Sequence, residues 1–266
     1  MKDPTDISSG SNARMKTWRR CAAGEVRTTG RTLVAGRRLV TELAVRQDLE
    51  ANWIVSEDHS GVLPGIPERS QFRLTRKLFK ELDQFGTGHP ILDVAIGDRI
   101  EPLPATLPVG PVLAIPVQDP VNVGALVRTA VGLGVTGIIL LPGVANPFHP
   151  KAVRTSAGAV FKARLWRTES LTEQSFAAHP LLALEARGTP LGQFTFPESF
   201  VVIVGAEGPG LKVLPETSGN QPAEHASIKA LALPMVGIES FNVHAAVAMT
   251  LYEWKRQLVY RERVAD

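Results

Sequence analysis

One cysteine, Cys21, is present among 266 residues. No disulfide can form within the chain, which fits a reducing compartment. A lone thiol also excludes a zinc site of the multi-cysteine kind. Long apolar runs are missing as well. The longest, Val131–Leu141, is broken by glycines and too short to span a bilayer. The opening residues do not read as a signal peptide, so the chain is expected in the cytoplasm and away from membranes. There is no internal repeat. Low complexity is confined to the Ser-, Asp- and Gly-rich residues 1–12, which read as poorly ordered.

What is present is ample for folding. The apolar fraction of 44% supplies a core, and the length suits one large or two ordinary domains. Net charge is only +3, but cations crowd the front of the chain: Arg14, Lys16, Arg19, Arg20, Arg27, Arg31, Arg37 and Arg38. Before about residue 40, only Asp3, Asp6 and Glu25 oppose them. Such a segment suits a polyanion such as nucleic acid, or else forms a solvated charged face.

Short apolar strands alternate with helical stretches throughout, which argues for an α/β fold with a mostly parallel sheet. In the first part, strands are expected at Thr32–Val34, Trp53–Val55, Phe72–Leu74 and Ile91–Ala95. Helices are expected within 13–30, at Arg37–Arg46 and at Arg76–Leu82. Pro102, Pro104 and Pro108 then suggest a semi-rigid linker. The reading is therefore two domains, 1–105 and 106–266. Pro111–Val117 is continuously apolar, as a strand buried on both faces should be.

Three later stretches carry possible chemistry. The first is QDPVNVGALVRTA, Gln118–Ala130, in which Asn122 can cap a helix and Arg128 stands on a largely apolar helical surface. The second is VVIVGAEGPGL, Val201–Leu211, a buried strand entering a glycine-rich turn. Its spacing is neither that of a dinucleotide fingerprint nor that of a P-loop. The third is LPMVGIESFNVHAAVAMTLYEW, Leu233–Trp254. Ser240 or Asn242 can cap its helix, and the apolar residues that follow on every side describe a buried helix.

In order and spacing these stretches closely resemble the three motifs of the SpoU/TrmH family. Its members are S-adenosylmethionine-dependent RNA ribose 2′-O-methyltransferases of the SPOUT class. The motif resemblance covers about residues 110–258. Weaker similarity links Ile7–Lys16, Thr32–Val40 and TGHPILDVAI, Thr87–Ile96, to the ribosomal-protein-like α/β RNA-binding module of the ribosomal-RNA members. The resemblance implies a C-terminal trefoil-knotted domain and a homodimer formed through it. It also implies S-adenosylmethionine bound against the loops containing Val204, Gly205, Ala206, Leu233, Met235 and Phe241. Arg128, Asn122, Glu207, Ser240 and Asn242 match the family's polar site positions, and no metal is implied. Arg37 and Arg38, with Arg128, are the expected RNA contacts.

A ribose 2′-hydroxyl is a poor nucleophile at neutral pH, so such an enzyme must align the transfer and help one proton leave. Arg128 fits positioning and charge stabilisation better than proton abstraction, because a guanidinium is normally protonated. Two residues depart from the family pattern: Phe241 stands where leucine is usual, and His244 where serine is frequent. His244 is expected to pack or to face a partner subunit. The added N-terminal module points to large-subunit ribosomal RNA. The competing readings are a transfer-RNA methyltransferase, a non-catalytic RNA-binding or ribosome-assembly protein, and a nucleotide-dependent oxidoreductase.

Overall fold

The strands form where the apolar runs lie. A computed structural model describes residues 4–63, 70–169, 179–204 and 228–265, with side chains to residue 261. Its contacts divide the chain into two units: 1–98 with 146–160, and 99–145 with 161–266.

In the first unit the strands are β1 (Thr5–Ile7), β2 (Arg31–Val34), β3 (Ala51–Ser56), β4 (Gln71–Leu74) and β5 (Ile91–Ala95). The helices are α1 (Ala13–Ala22), α2 (Val26–Thr29), α3 (Arg37–Ala44) and α4 (Arg76–Leu82). The sheet order is β1-β4-β3-β5-β2, parallel from β1 to β3 and antiparallel beyond. Residues 1–12 are thus not wholly irregular. Thr5–Ile7 add an edge strand to β4, with Ile7 buried and Asp6 paired to Arg73 at 2.6 Å. A short polar strand carries little apolar signal of its own and is held by its neighbour. The expected basic helix over 13–30 is split at Gly24, which has positive φ (+89°).

Residues 146–160 contribute α6 (Pro150–Thr155) to this same unit. Thr32 on β2 donates its hydroxyl to the Phe148 carbonyl at 2.6 Å, in a buried setting. Leu39 of α3 lies where a β-carbon on Gly158 would stand, 2.6 Å away. Cys21 is fully buried among apolar residues, and burial pushes its thiol pKa up, so it packs as a small hydrophobe.

The second unit has β6 (Ile100–Pro102), β7 (Pro111–Ile115), β8 (Gly137–Leu140), β9 (Leu165–Arg167), β10 (Leu181–Glu185), β11 (Thr189–Pro190), β12 (Phe200–Ile203) and β13 (Lys229–Ala232). Its helices are α5 (Pro120–Leu133) and α7 (Val243–Ala265). The sheet order is β11-β13-β10-β12-β7-β8-β9-β6, and every pairing is parallel. Part of the expected linker is therefore strand: β6 pairs with β9, and Leu103 N–H donates to the Arg167 carbonyl at 3.0 Å. Pro102 is tolerated because β6 is an edge. Across β8, the Trp166 ring lies 2.0 Å from where a β-carbon on Gly137 would stand, so only glycine fits there.

Candidate active site

β7 is buried throughout, and the chain leaves it through Val117 to start α5. The cap is Asp119, whose Oδ1 accepts from Val121 N–H at 3.0 Å, with Pro120 in the first turn. Asn122 is thus not the cap. Proline lacks the N–H a helix start leaves unused, so the cap lies three residues earlier, at Asp119, and Asn122 falls in the first turn, half-buried. Arg128 lies further along α5 with its side chain exposed and no carboxylate partner among the described residues.

At α7 the two expected caps separate. Asn242 caps the helix: its Oδ1 accepts from His244 N–H at 2.8 Å, and its carbonyl accepts from Ala246 N–H at 3.0 Å. Ser240 instead lines a cleft beyond the carboxyl ends of β10 and β13. Leu184, Glu185 and Ala186 form one wall, Leu231, Leu233 and Met235 another, and Glu239, Ser240, Phe241 and Ala246 close it. Crevices outside the carboxyl ends of parallel strands are the usual ligand sites of open α/β sheets.

This cleft brings Leu233, Met235, Ser240 and Phe241 together. Val204 follows β12 and is buried without lining the cleft, and Arg128, Asn122 and Asn242 are not part of its walls. Gly205, Ala206 and Glu207 lie outside the described residues. Arg37 and Arg38 are exposed on α3 of the first unit. Arg38 pairs with Glu42 at 2.6 Å. Arg19, Arg20 and Arg31 are likewise matched by Glu81, Glu25 and the pair Asp93 and Glu50. Among the described residues, Arg14, Lys16, Arg27 and Arg37 have no carboxylate partner.

Sequence reasoning did not find the carboxylates Glu185 and Glu239 in the cleft. The signal for Glu185 was its place at a strand's carboxyl end. It also did not find that Thr129 Oγ1 and His244 Nε2 share a hydrogen bond of 2.8 Å. Nor is α7 buried all round. Val247, Thr250, Leu251 and Trp254 are buried, but Met249 is 36% and Tyr252 63% exposed. The apolar pattern also counted residues that lie exposed at the surface of α7. Val121, on α5, is 43% exposed.

Chemically, the cleft offers apolar and aromatic walls with two carboxylates, a setting for a flat, partly apolar ligand that carries positive charge. Among the described residues no group of three His, Cys, Asp or Glu side chains is placed to hold a metal ion. No described helix is long and apolar enough to cross a membrane.

Comparison with known proteins adds to this geometry. Residues 111–252 match the SpoU rRNA Methylase family. "Ribosomal RNA small subunit methyltransferase G 2" of Syntrophobacter fumaroxidans is 35% identical over 242 residues, which are 87% of this chain but 45% of that protein. The 23S rRNA (guanosine(2553)-2'-O)-methyltransferase RlmP of Bacillus subtilis is 28% identical over 92% of this chain and 97% of its own length. The chain thus spans about half the length of the first relative and nearly all of the second. Among solved structures, an AdoMet-bound rRNA methyltransferase from Sinorhizobium meliloti shares the fold with a TM-score of 0.74 at 20% identity, over 96% of this chain and 98% of that one. AviRb from Streptomyces viridochromogenes, solved with AdoMet, gives 0.72 at 23% identity, over 93% of this chain and 98% of its own. A match to more than half of its length, with the three motifs in order, places this chain in the SpoU rRNA Methylase family.

Proposed function

We propose that the protein is an S-adenosylmethionine-dependent RNA methyltransferase that methylates a ribose 2′-hydroxyl in large-subunit ribosomal RNA. The observation that carries this reading is the cleft in which Leu233, Met235, Ser240 and Phe241 meet two carboxylates. S-adenosylmethionine has a flat base, a ribose, and positive charge on sulfonium and ammonium, and the cleft's composition fits each. Leu233, Met235 and Phe241 would hold the base and ribose, while Glu185 and Glu239 would face the charged end. When bound, the cofactor supplies an activated methyl group. Arg128 presents a planar fork of donors that suits a ribose hydroxyl and its flanking phosphate. Asn122, Glu207, Ser240 and Asn242 complete the proposed polar site, and Val204, Gly205 and Ala206 the cofactor loops, tied in a trefoil knot. Residues 1–105 grip the RNA, with Arg37 and Arg38 on the contacting face. The RlmP relative's name supports ribosomal RNA as the substrate, and the proposed place of work is the cytoplasm.

The test is methyl transfer from labelled S-adenosylmethionine to separated ribosomal and transfer RNA, followed by nucleoside analysis. A 2′-O-methylnucleoside in large-subunit RNA is expected. Label only in transfer RNA would overturn the substrate, and cofactor binding with no transfer to either would overturn the enzyme.

The protein is proposed to work as a homodimer. Val121 on α5 and Met249 and Tyr252 on α7 expose apolar surface on two helices that pack together, and uncovered surface of this kind marks an interface. Light scattering should give twice the 28.7 kDa chain mass. Met249→Glu with Tyr252→Glu should give the single mass and lose transfer. A double variant that stays dimeric would place the interface elsewhere.

A further inference from the structure

Arg128 has no carboxylate partner among the described residues, and its side chain is exposed. The region its guanidinium can reach is therefore set by where α5 carries it. Whatever fixes α5 against α7 fixes that region. The first turns of α7 offer Val243, Ala245, Ala246, Val247 and Ala248, which are apolar, together with His244. Apolar contact resists separation but is not directional, whereas a hydrogen bond selects one register. His244 supplies it: its Nε2 and Thr129 Oγ1 share a 2.8 Å hydrogen bond, both residues being half-buried. Successive helical residues point about 100° apart, so Thr129 can face α7 while Arg128 faces outward. The other end of the link is also fastened, since His244 N–H donates to Asn242 Oδ1 at 2.8 Å, directly after the cleft residues Ser240 and Phe241.

We infer that His244 is a positioning residue for methyl transfer, which through Thr129 sets the register between the cleft at the start of α7 and Arg128 on α5. This rests on the proposed reading of the cleft and Arg128 as the methyltransferase site. His244 acts through the helix contact and has no assigned contact with either reactant.

The experiment compares His244→Ala, His244→Gln, Thr129→Val and the His244→Ala/Thr129→Val pair in the full chain. Thr129→Val keeps the shape and removes only the hydroxyl, so it serves even where His244→Ala folds poorly. Glutamine can place an amide near the position of Nε2. The readouts are kcat, KM for S-adenosylmethionine and RNA, and the NMR signal of the Arg128 Nε–H. A small displacement of a reacting group costs about 10- to 100-fold, so kcat is expected to fall in that range in His244→Ala and Thr129→Val with KM for the cofactor unchanged. The pair should fall no further than either single variant, His244→Gln should recover most of the rate, and the Arg128 signal should move in the same variants. Parental kcat in Thr129→Val, losses that multiply in the pair, or an unmoved Arg128 signal each overturn the inference. If the parent protein methylates no RNA, the reading of the site fails by itself. The Arg128 signal then decides the link: movement in Thr129→Val upholds it, and none overturns it.

Discussion

Arg128→Ala is expected to lower methyl transfer by about 10²- to 10⁴-fold, the range that positioned proton transfer and charge stabilisation contribute. Its melting temperature and affinity for S-adenosylmethionine should stay at the parental values. Both halves follow from the side chain's surroundings. Arg128 is exposed, forms no ion pair with any described carboxylate, and does not line the cleft assigned to the cofactor. Surface substitutions of this kind change stability by about 0.5 kcal/mol or less. Arg128→Lys should recover little, because a lysine brings the charge without the planar fork. Single-turnover assays with saturating cofactor, run beside thermal melts, separate the two properties. A variant that loses cofactor binding or melts much earlier would show that Arg128 holds the fold instead.

The largest loss of stability is expected from Asp93→Ala. Asp93 lies on β5, between β3 and β2, and is 1% exposed. Arg31 Nε donates to its Oδ1 at 2.7 Å, and Arg31 Nη2 to its carbonyl at 3.2 Å. Asn52 Nδ2 donates to Oδ2 at 3.4 Å, and Glu50 accepts from Arg31 Nη1 at 2.9 Å. Breaking a buried pair costs about 3–5 kcal/mol, and without Asp93 the 21% exposed Arg31 side chain keeps only the exposed Glu50 as a charged partner. Replacing both, as Arg31→Met with Asp93→Leu, should cost less than Asp93→Ala alone, since desolvation of both ions is then avoided. Urea unfolding would show this as a shift in midpoint. An Asp93→Ala protein within about 1 kcal/mol of the parent would mean that Glu50 and water satisfy Arg31 unaided.

The contrast between Arg128 and Asp93 bears on what a sequence discloses. Apolar runs such as Pro111–Ile115 and Gly137–Leu140 announce buried strands, because nothing else hides so many side chains at once. Arg128 stands out for the opposite reason, as a cation on a helix that otherwise avoids polarity. Asp93 is hidden inside ILDVA, where one carboxylate among apolar neighbours reads equally as strand surface. Its partner Arg31 is 62 residues away, and only the sheet order brings them together. The same holds for Arg19 and Glu81, so the basic front of the chain looked more cationic than it is. In the cleft, the residues of one motif were legible, whereas Glu185 enters from a strand with no motif of its own. The bond between Thr129 and His244 depends on how two helices pack, which helical periodicity does not encode.

The excursion of residues 146–160 constrains how the gene can be cut. The chain passes from one unit to the other at 98/99, returns at 145/146 and leaves again at 160/161. A fragment ending at residue 98 would strip α6 from β2, leave the buried Thr32 hydroxyl without its acceptor, and take away the Gly158 backbone beside Leu39. A fragment starting at residue 99 would carry Phe148, Ala152 and Val153, all buried in the whole chain, with nothing from residues 1–98 to cover them. Neither half is a self-sufficient piece, so swapping the N-terminal region between relatives means exchanging the α6 segment with it.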